Sequence, residues 1–385
     1  MIKLLKASSY YPRYLAWFYA RNPHLREASY AEQHAALMAD SFALSDSWSR
    51  HLGGAQAQFA VTELVVNAEP LQKRWAQENG VEYRETHWLA DIFLAQFRAV
   101  APRVFYAHAQ EINPTLRRAC RGLAGGPLYV ISYDGIGRHT PEVFTETDMV
   151  ITCLRSSADF YRAQGVESHW MMFGFDPSVL TRIRRDVTPS GVSFVGGLQV
   201  RIGHQERART LAYIAEAFPL ERWVSGLPTD AEALRLWGSF ARRRDWRGFW
   251  DFPSAAIAAR RLRAGNRGEV FGMEMFSRLA ASRITLNVHI AAAGNQAANI
   301  RLFEATGAGA CLLTDWKENI GELFEPDREV VVFRHPEEAV EKIHYLLEHD
   351  SERAEIARKG QRRTLENHNY ATRLRELAAV LEARL

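Results

Sequence analysis

Arg301 and Glu304 are the pair in this 385-residue sequence whose types and spacing best suit chemistry. Residues three apart on a helix share a face. From there an arginine can neutralise a diphosphate, and a glutamate can accept hydrogen bonds from a ribose diol. The same pair would also serve as a surface ion pair stabilising a helix by a few tenths of a kcal/mol. The neighbourhood favours the ligand reading. The preceding loop, Ile-Ala-Ala-Ala-Gly-Asn-Gln-Ala-Ala from Ile290 to Ala298, is built of small residues that let a ligand approach the backbone. A helix is predicted to begin near Asn299, where free N–H groups would attract an anion, and to stop at Gly307 and Gly309.

Two other places could carry chemistry. Gly196-Gly197, followed by Arg201, closes an apolar run and suits close backbone approach to a phosphate. It has neither the G-x-G-x-x-G of a dinucleotide fold nor the G-x-x-x-x-G-K-[ST] of a P-loop. Asp134, in Ser-Tyr-Asp-Gly-Ile-Gly-Arg-His139, can act as a general base or orient one, although an aspartate there also suits a turn. His108 and Glu111 stand in a similar setting. The histidines show no metal-ligand spacing and no G-x-S-x-G occurs, so metal ligation and serine hydrolysis find no support.

These residues fall at the ends of predicted strands. Apolar, β-branched runs at 2–7, 59–66, 103–108, 127–133, 149–154, 192–198, 222–226, 284–288, 310–314 and 330–333 alternate with helical patterns, which is the signature of an α/β protein with parallel sheets. In such sheets the carboxyl ends of strands line the ligand crevice. The length predicts two domains, with a boundary near 185 in the charged, proline-containing stretch 182–190. The tryptophans are scattered singly and read as mostly core. The arginine runs 242–244, 260–263 and 362–363 read as solvated helix faces.

Bulk properties exclude other classes. A net charge of +3 with 48 basic and 45 acidic residues does not argue for a nucleic-acid partner. Three unequally spaced cysteines exclude a disulfide framework and fit a reducing compartment. The N-terminus does not read as a signal peptide, and no window approaches the ~18 apolar residues of a membrane span. A cytoplasmic location is expected.

With these residues in place a resemblance emerges. Gly268-Glu-Val-Phe-Gly272, Ser282-Arg-Ile-Thr-Leu-Asn287, Asn299-Ile-Arg301-Leu-Phe303-Glu304-Ala with Gly309, and Leu312-Leu-Thr314-Asp315 resemble the CgeB-like glycosyltransferases of the GT-B superfamily. The likeness runs across 192–370. In the first half it rests on Ser9-Tyr-Tyr-Pro12, Asn113-Pro114 and Phe175-Asp176-Pro177. It implies two Rossmann-like, doubly wound domains facing a cleft: an acceptor-side domain over 1–185, a nucleotide-sugar domain over 186–369, and a final helix, 370–385, crossing back onto the first.

On that likeness Glu304 holds the donor ribose. Arg301 and the loop from Gln296 to Asn299 face the diphosphate and sugar, and Gly196-Gly197 admit the diphosphate. No cofactor or metal is expected. The donor is a nucleoside-diphosphate sugar, and the acceptor is a glycan, lipid-linked sugar, protein or small molecule. The sequence departs at Ala297, where retaining relatives often carry a first glutamate seven before the second. That leaves inverting chemistry open, with Asp134 as the base and His108 and His139 behind it. A catalytically silent sugar- or nucleotide-binding structural protein, or a sugar-nucleotide epimerase on the same fold, is the alternative.

Overall fold

The computed structural model describes residues 1–53, 58–135, 139–199 and 203–385. The chain forms two compact units, one of Met1–Met172 with Tyr370–Leu385 and the other of Phe173–Asn369. The division comes earlier than position 185. The segment 182–190 lies wholly within the second unit.

The first unit is built on six strands: β1 (Ile2–Ser8), β2 (Phe59–Val65), β3 (Val104–Ala107), β4 (Tyr129–Asp134), β5 (Met149–Thr152) and β6 (Ser168–Trp170). All pair in parallel in the order β2-β1-β3-β4-β5-β6. The central strands are buried on both faces, so Val104–Ala107 and Met149–Thr152 read as unbroken apolar or small runs rather than alternating ones. One side of the core gathers Leu5, Leu64, Phe93, Phe97, Phe105 and Val130. Within β1, Lys6 stands opposite Glu63 and forms a buried ion pair with it, and Lys6 Nζ also donates 2.6 Å to the Ser45 carbonyl. A buried pair of this kind is costly to desolvate and more costly to break.

The helix Pro114–Leu123 shows why Asn113-Pro114 stands where it does. Asn113 Oδ1 accepts the Leu116 N–H at 3.0 Å, and Pro114 occupies the first turn, where no N–H is needed. The last helix, Tyr370–Glu382, buries Tyr370, Leu374, Leu377 and Leu381 and packs in this unit against the helix Ser47–Leu52.

The second unit is a five-stranded parallel sheet: β7 (Ser190–Gly197), β8 (Leu220–Ser225), β9 (Ser282–Asn287), β10 (Cys311–Asp315) and β11 (Val331–Phe333), in the order β11-β10-β9-β7-β8. Val192, Phe194, Ile284, Leu286 and Leu313 form its centre, covered by the helices Gln205–Ala217 and Trp246–Arg263. Phe175 is 1 % exposed and lies against Gly307, where a Cβ would overlap its ring. That close approach, rather than helix termination, is what Gly307 provides. Gly307 is the last helical residue, and Gly309, at φ +91°, makes the left-handed turn after it.

Among the described residues, ten of the eleven strands coincide with the apolar runs. β6 has only three residues, all half-buried, at the edge of its sheet, and carries no periodic signal. The tryptophans depart from the core reading: of ten, only Trp48 and Trp223 are buried, whereas Trp237, Trp246 and Trp250 are exposed. All three lie in the helical hairpin between β8 and β9. Among the described residues, no helix is long and apolar enough to cross a membrane.

Candidate functional site

In the second unit, polar side chains collect where β7, β9 and β10 end. Arg301 opens the helix Arg301–Gly307, and its Nη1 lies 2.8 Å from Glu304 Oε2. Both are largely buried, with side-chain exposures of 16 % and 7 %. Burial raises the Glu304 carboxyl above its ordinary range, and the Arg301 charge only partly opposes it. The pair is close in charge but poorly angled, because Glu304 Oε2 has no hydrogen-bond partner among the described residues. Arg301 Nη1 also donates to Met275 Sδ at 2.8 Å, a weak acceptor. The helix has only seven residues, so its dipole adds little, and the attraction for an anion comes from side chains.

Four residues outside the candidates named from the sequence complete the cluster: Arg207, Asp315, His289 and Lys317. Arg207 is 9 % exposed; its Nε donates to the Val288 carbonyl at 2.7 Å and its Nη1 to the Gly197 carbonyl at 2.9 Å. Burial lowers its guanidinium to about 10, with Asp315 opposing and Arg301 adding to the shift, which sets all three within electrostatic reach. It remains a cation at neutral pH.

Asp315 ends β10 and binds His289 twice: Oδ1 accepts the His289 backbone N–H at 2.9 Å and faces its Nδ1 at 2.7 Å. Lys317 Nζ lies 3.2 Å from Asp315 Oδ2. Burial opposes ionisation of Asp315, yet the hydrogen bonds from His289 and the Lys317 cation outweigh it and hold the carboxyl below its usual range. The His289 side chain is fully buried, and its Nε2 has no partner among the described residues. Buried polar atoms in native proteins are almost always satisfied. His289 Nε2, without a partner among the described residues, and the Glu304 carboxyl, ion-paired with Arg301 but without a hydrogen bond to Oε2, stand with Arg207 and Lys317 as an anion-receptive, hydrogen-bonding site.

The remaining donor-side candidates take supporting positions. Gly196 and Gly197 are the last residues of β7, paired with Val224 and Ser225, and neither has a positive φ. A Cβ on Gly196 would press on the Phe194 ring at 3.0 Å, and the Gly197 carbonyl anchors Arg207. Asn299 Nδ2 donates to Asn287 Oδ1 at 2.6 Å, and Asn287 Nδ2 to Thr314 Oγ1 at 2.9 Å, so the loop is tied to two strand ends. Gln296 is half-buried in that loop. Ala297 is fully buried, its N–H held by Asn319 Oδ1 at 2.7 Å and its carbonyl by Asn319 Nδ2 at 3.1 Å. The position where a further glutamate would stand thus holds a buried alanine whose backbone is bound by the Asn319 side chain. Arg201 lies outside the described residues.

In the first unit, Asp134 ends β4 and is 3 % exposed. Tyr161 Oη donates to its Oδ2 at 2.6 Å and accepts the His139 backbone N–H at 2.9 Å. His139 Nε2 lies 3.5 Å from Asp134 Oδ1, and the His139 side chain is 52 % exposed. Asp134 is already engaged by Tyr161 and His139, and the exposed group of the pair is His139. His108 does not fit a base. Its Nδ1 is sealed from solvent without a partner among the described residues, and desolvation, with the Lys6 cation as second cause, lowers the imidazole to about 3. Among the described residues, no three His, Cys, Asp or Glu side chains gather as a metal site would require.

Residues 207–379 match a protein-family model described as glycosyl transferase-like. No curated protein matches the chain in sequence. Among solved structures, HepE of Anabaena in complex with UDP-glucose is similar with a TM-score of 0.54 and 13 % identity, covering all of both chains. Sucrose-phosphate synthase of Thermosynechococcus elongatus is similar with a TM-score of 0.54 and 10 % identity, again over all of both chains. A UDP-forming trehalose-phosphate synthase of Burkholderia xenovorans gives a TM-score of 0.52 and 10 % identity, over 99 % of this chain and 100 % of that one. The chain therefore has the two Rossmann-like α/β domains of GT-B glycosyltransferase structures, and its second unit carries most of a glycosyl transferase-like sequence.

Proposed function

We propose that this protein is a metal-independent glycosyltransferase that takes a sugar from a nucleoside diphosphate, in the manner of the CgeB-like enzymes its motifs resemble. The observation that carries this is the buried cluster of Arg207, Arg301 and Lys317 with Glu304, Asp315 and His289, whose Nε2 has no partner among the described residues. Ribose hydroxyls would donate to the Glu304 carboxyl oxygens. Arg301 and Arg207 would stabilise charge as the diphosphate departs, an electrostatic role preorganised by their buried carbonyl and carboxylate partners. His289 Nε2, with Nδ1 held by Asp315, would hydrogen-bond the donor. That HepE was crystallised with UDP-glucose, and with UDP and glucose, supports a uridine donor as the first to try.

On the acceptor side the base is His139 rather than Asp134. Asp134 positions the imidazole and stabilises the imidazolium formed when an acceptor hydroxyl loses its proton. The buried alanine at 297 supports an inverting displacement, since no second glutamate accompanies Glu304. A screen of thermal stability against UDP-, GDP-, dTDP- and CMP-sugars tests the reading, because a ligand bound only by the native state raises stability by RT ln(1 + [L]/Kd). A shift with one donor, followed by acceptor-dependent release of its nucleotide, is the expected result. A catalytically silent binding protein would shift without release, and absence of any shift would overturn the donor site.

A further inference from the structure

Between β8 and β9 the second unit carries a hairpin of the helices Asp230–Arg242 and Trp246–Arg263, and its outer surface is unlike the rest of the molecule. The second helix has two apolar stripes. Phe252, Ala255, Ala259 and Leu262 face the core and are buried. Trp246, Trp250 and Ile257, at spacings of four and seven, share the opposite face and are 58 %, 75 % and 56 % exposed. The first helix buries no residue.

The hairpin is nonetheless held firmly. Pro253 lacks the N–H that would bond the Phe249 carbonyl within the helix, and Trp237 Nε1 donates to that carbonyl instead, at 2.9 Å. The Trp237 and Phe249 rings also stack at 5.0 Å.

Charge is concentrated here. Residues 230–263 hold eight arginines against Asp230, Glu232, Asp245 and Asp251, a net of +4, while the whole chain is +3. The remainder of the protein is therefore net −1. The four acids are engaged locally. Asp230 pairs with Arg263, Asp251 with Arg209, Glu232 closes a capping box on Thr229, and Asp245 caps Gly248 N. Arg242, Arg243, Arg244 and Arg247, at the turn, are exposed and enter no ion pair among the described residues. Arg244 holds φ at +57°, a left-handed conformation that glycine or asparagine adopts more easily, so an arginine is kept there at a conformational cost.

We propose that this hairpin is a membrane-docking element whose Trp246–Trp250–Ile257 stripe enters the headgroup region of an anionic bilayer while Arg242, Arg243, Arg244 and Arg247 meet lipid phosphates. A rigid helix with an exposed apolar stripe beside guanidinium groups suits the boundary between headgroups and acyl chains, where tryptophan is also favoured. Nucleic acid would take the arginines and stack on the indoles but offers nothing to Ile257. The proposal stands independently of the glycosyl-transfer reading.

The test is flotation of the full chain with vesicles of phosphatidylcholine alone and of phosphatidylcholine mixed with phosphatidylglycerol, with indole emission recorded. The protein is expected to float only with anionic vesicles, with a blue shift, and to be released by high salt. Trp246→Ser/Trp250→Ser should abolish the blue shift and weaken binding. Neutralising the turn as R242Q/R243Q/R244Q/R247Q should weaken binding at least about a hundred-fold, each basic residue near an anionic surface contributing several-fold. Arg358→Gln/Arg362→Gln, at exposed positions of the helix Asp350–Asn367, should bind as the parent does, and melting temperatures should match throughout. No binding to anionic vesicles, parental binding by the hairpin variants, or tighter binding to single-stranded RNA than to vesicles would overturn the proposal.

Discussion

Asp134 and Asp315 both end a parallel strand and both face a histidine, but burial makes the pairs opposites. At Asp134 the histidine is the exposed member, whereas at Asp315 the histidine is sealed in. His139→Ala is therefore expected to lower turnover by about 10²–10⁴-fold with donor binding unchanged. Asp134→Asn should give a smaller loss, since it removes only the group behind the imidazole. Steady-state kinetics beside a binding titration separates the two effects, and equal losses would return Asp134 to the role of base.

His108 makes a prediction on stability. Its folded pKa, about 3, lies below the ordinary histidine value, so the unfolded chain takes up the proton first as pH falls. Stability should decline between about pH 6.5 and pH 3, and His108→Gln should flatten that part of a pH–melting curve. Arg301 and Glu304 were legible in the sequence because their contact is local, three positions along one helix. Arg207 was not, because its acceptor at Val288 is 81 residues away and its helix reads as an ordinary amphipathic one. His289 and Asp315 could have been found from the rule that strand ends line the ligand crevice.

At the scale of elements, the strands were legible because most are buried on both faces and so read as apolar runs, and β6 was not because an edge of three half-buried residues leaves no pattern. The helix expected near Asn299 runs from Arg301 to Gly307, and the Asn299 side chain bonds Asn287 rather than capping it. Gly307 was read as a stop signal, and only the packed structure reveals the Phe175 ring against it. Gly307→Ala should accordingly destabilise the second unit by about 1–3 kcal/mol through overpacking. Phe175→Leu in the same background should restore part of that loss. Chemical denaturation of the single and double variants gives the coupling, and strictly additive losses would show that the ring is not what the glycine accommodates. The singly placed tryptophans misled for a related reason. Spacing alone does not say which stripe of a helix faces the core, and the hairpin helix has two.

At the scale of the whole molecule, donor binding is proposed for the second unit and proton transfer for the first. Substitutions should then sort by unit: those at Arg207, His289, Arg301 and Glu304 should weaken nucleotide affinity, whereas those at His139 and Asp134 should leave it intact and remove transfer. The most direct measurement is a calorimetric titration of UDP, and of the nucleotide from any other donor that stabilises the protein, into the parent and Glu304→Ala. Affinity is expected to fall about 10- to 100-fold, the worth of hydrogen bonds to a charged or buried acceptor, while the variant without ligand still unfolds in a cooperative transition. Equal affinity in the two proteins would contradict the proposed donor site.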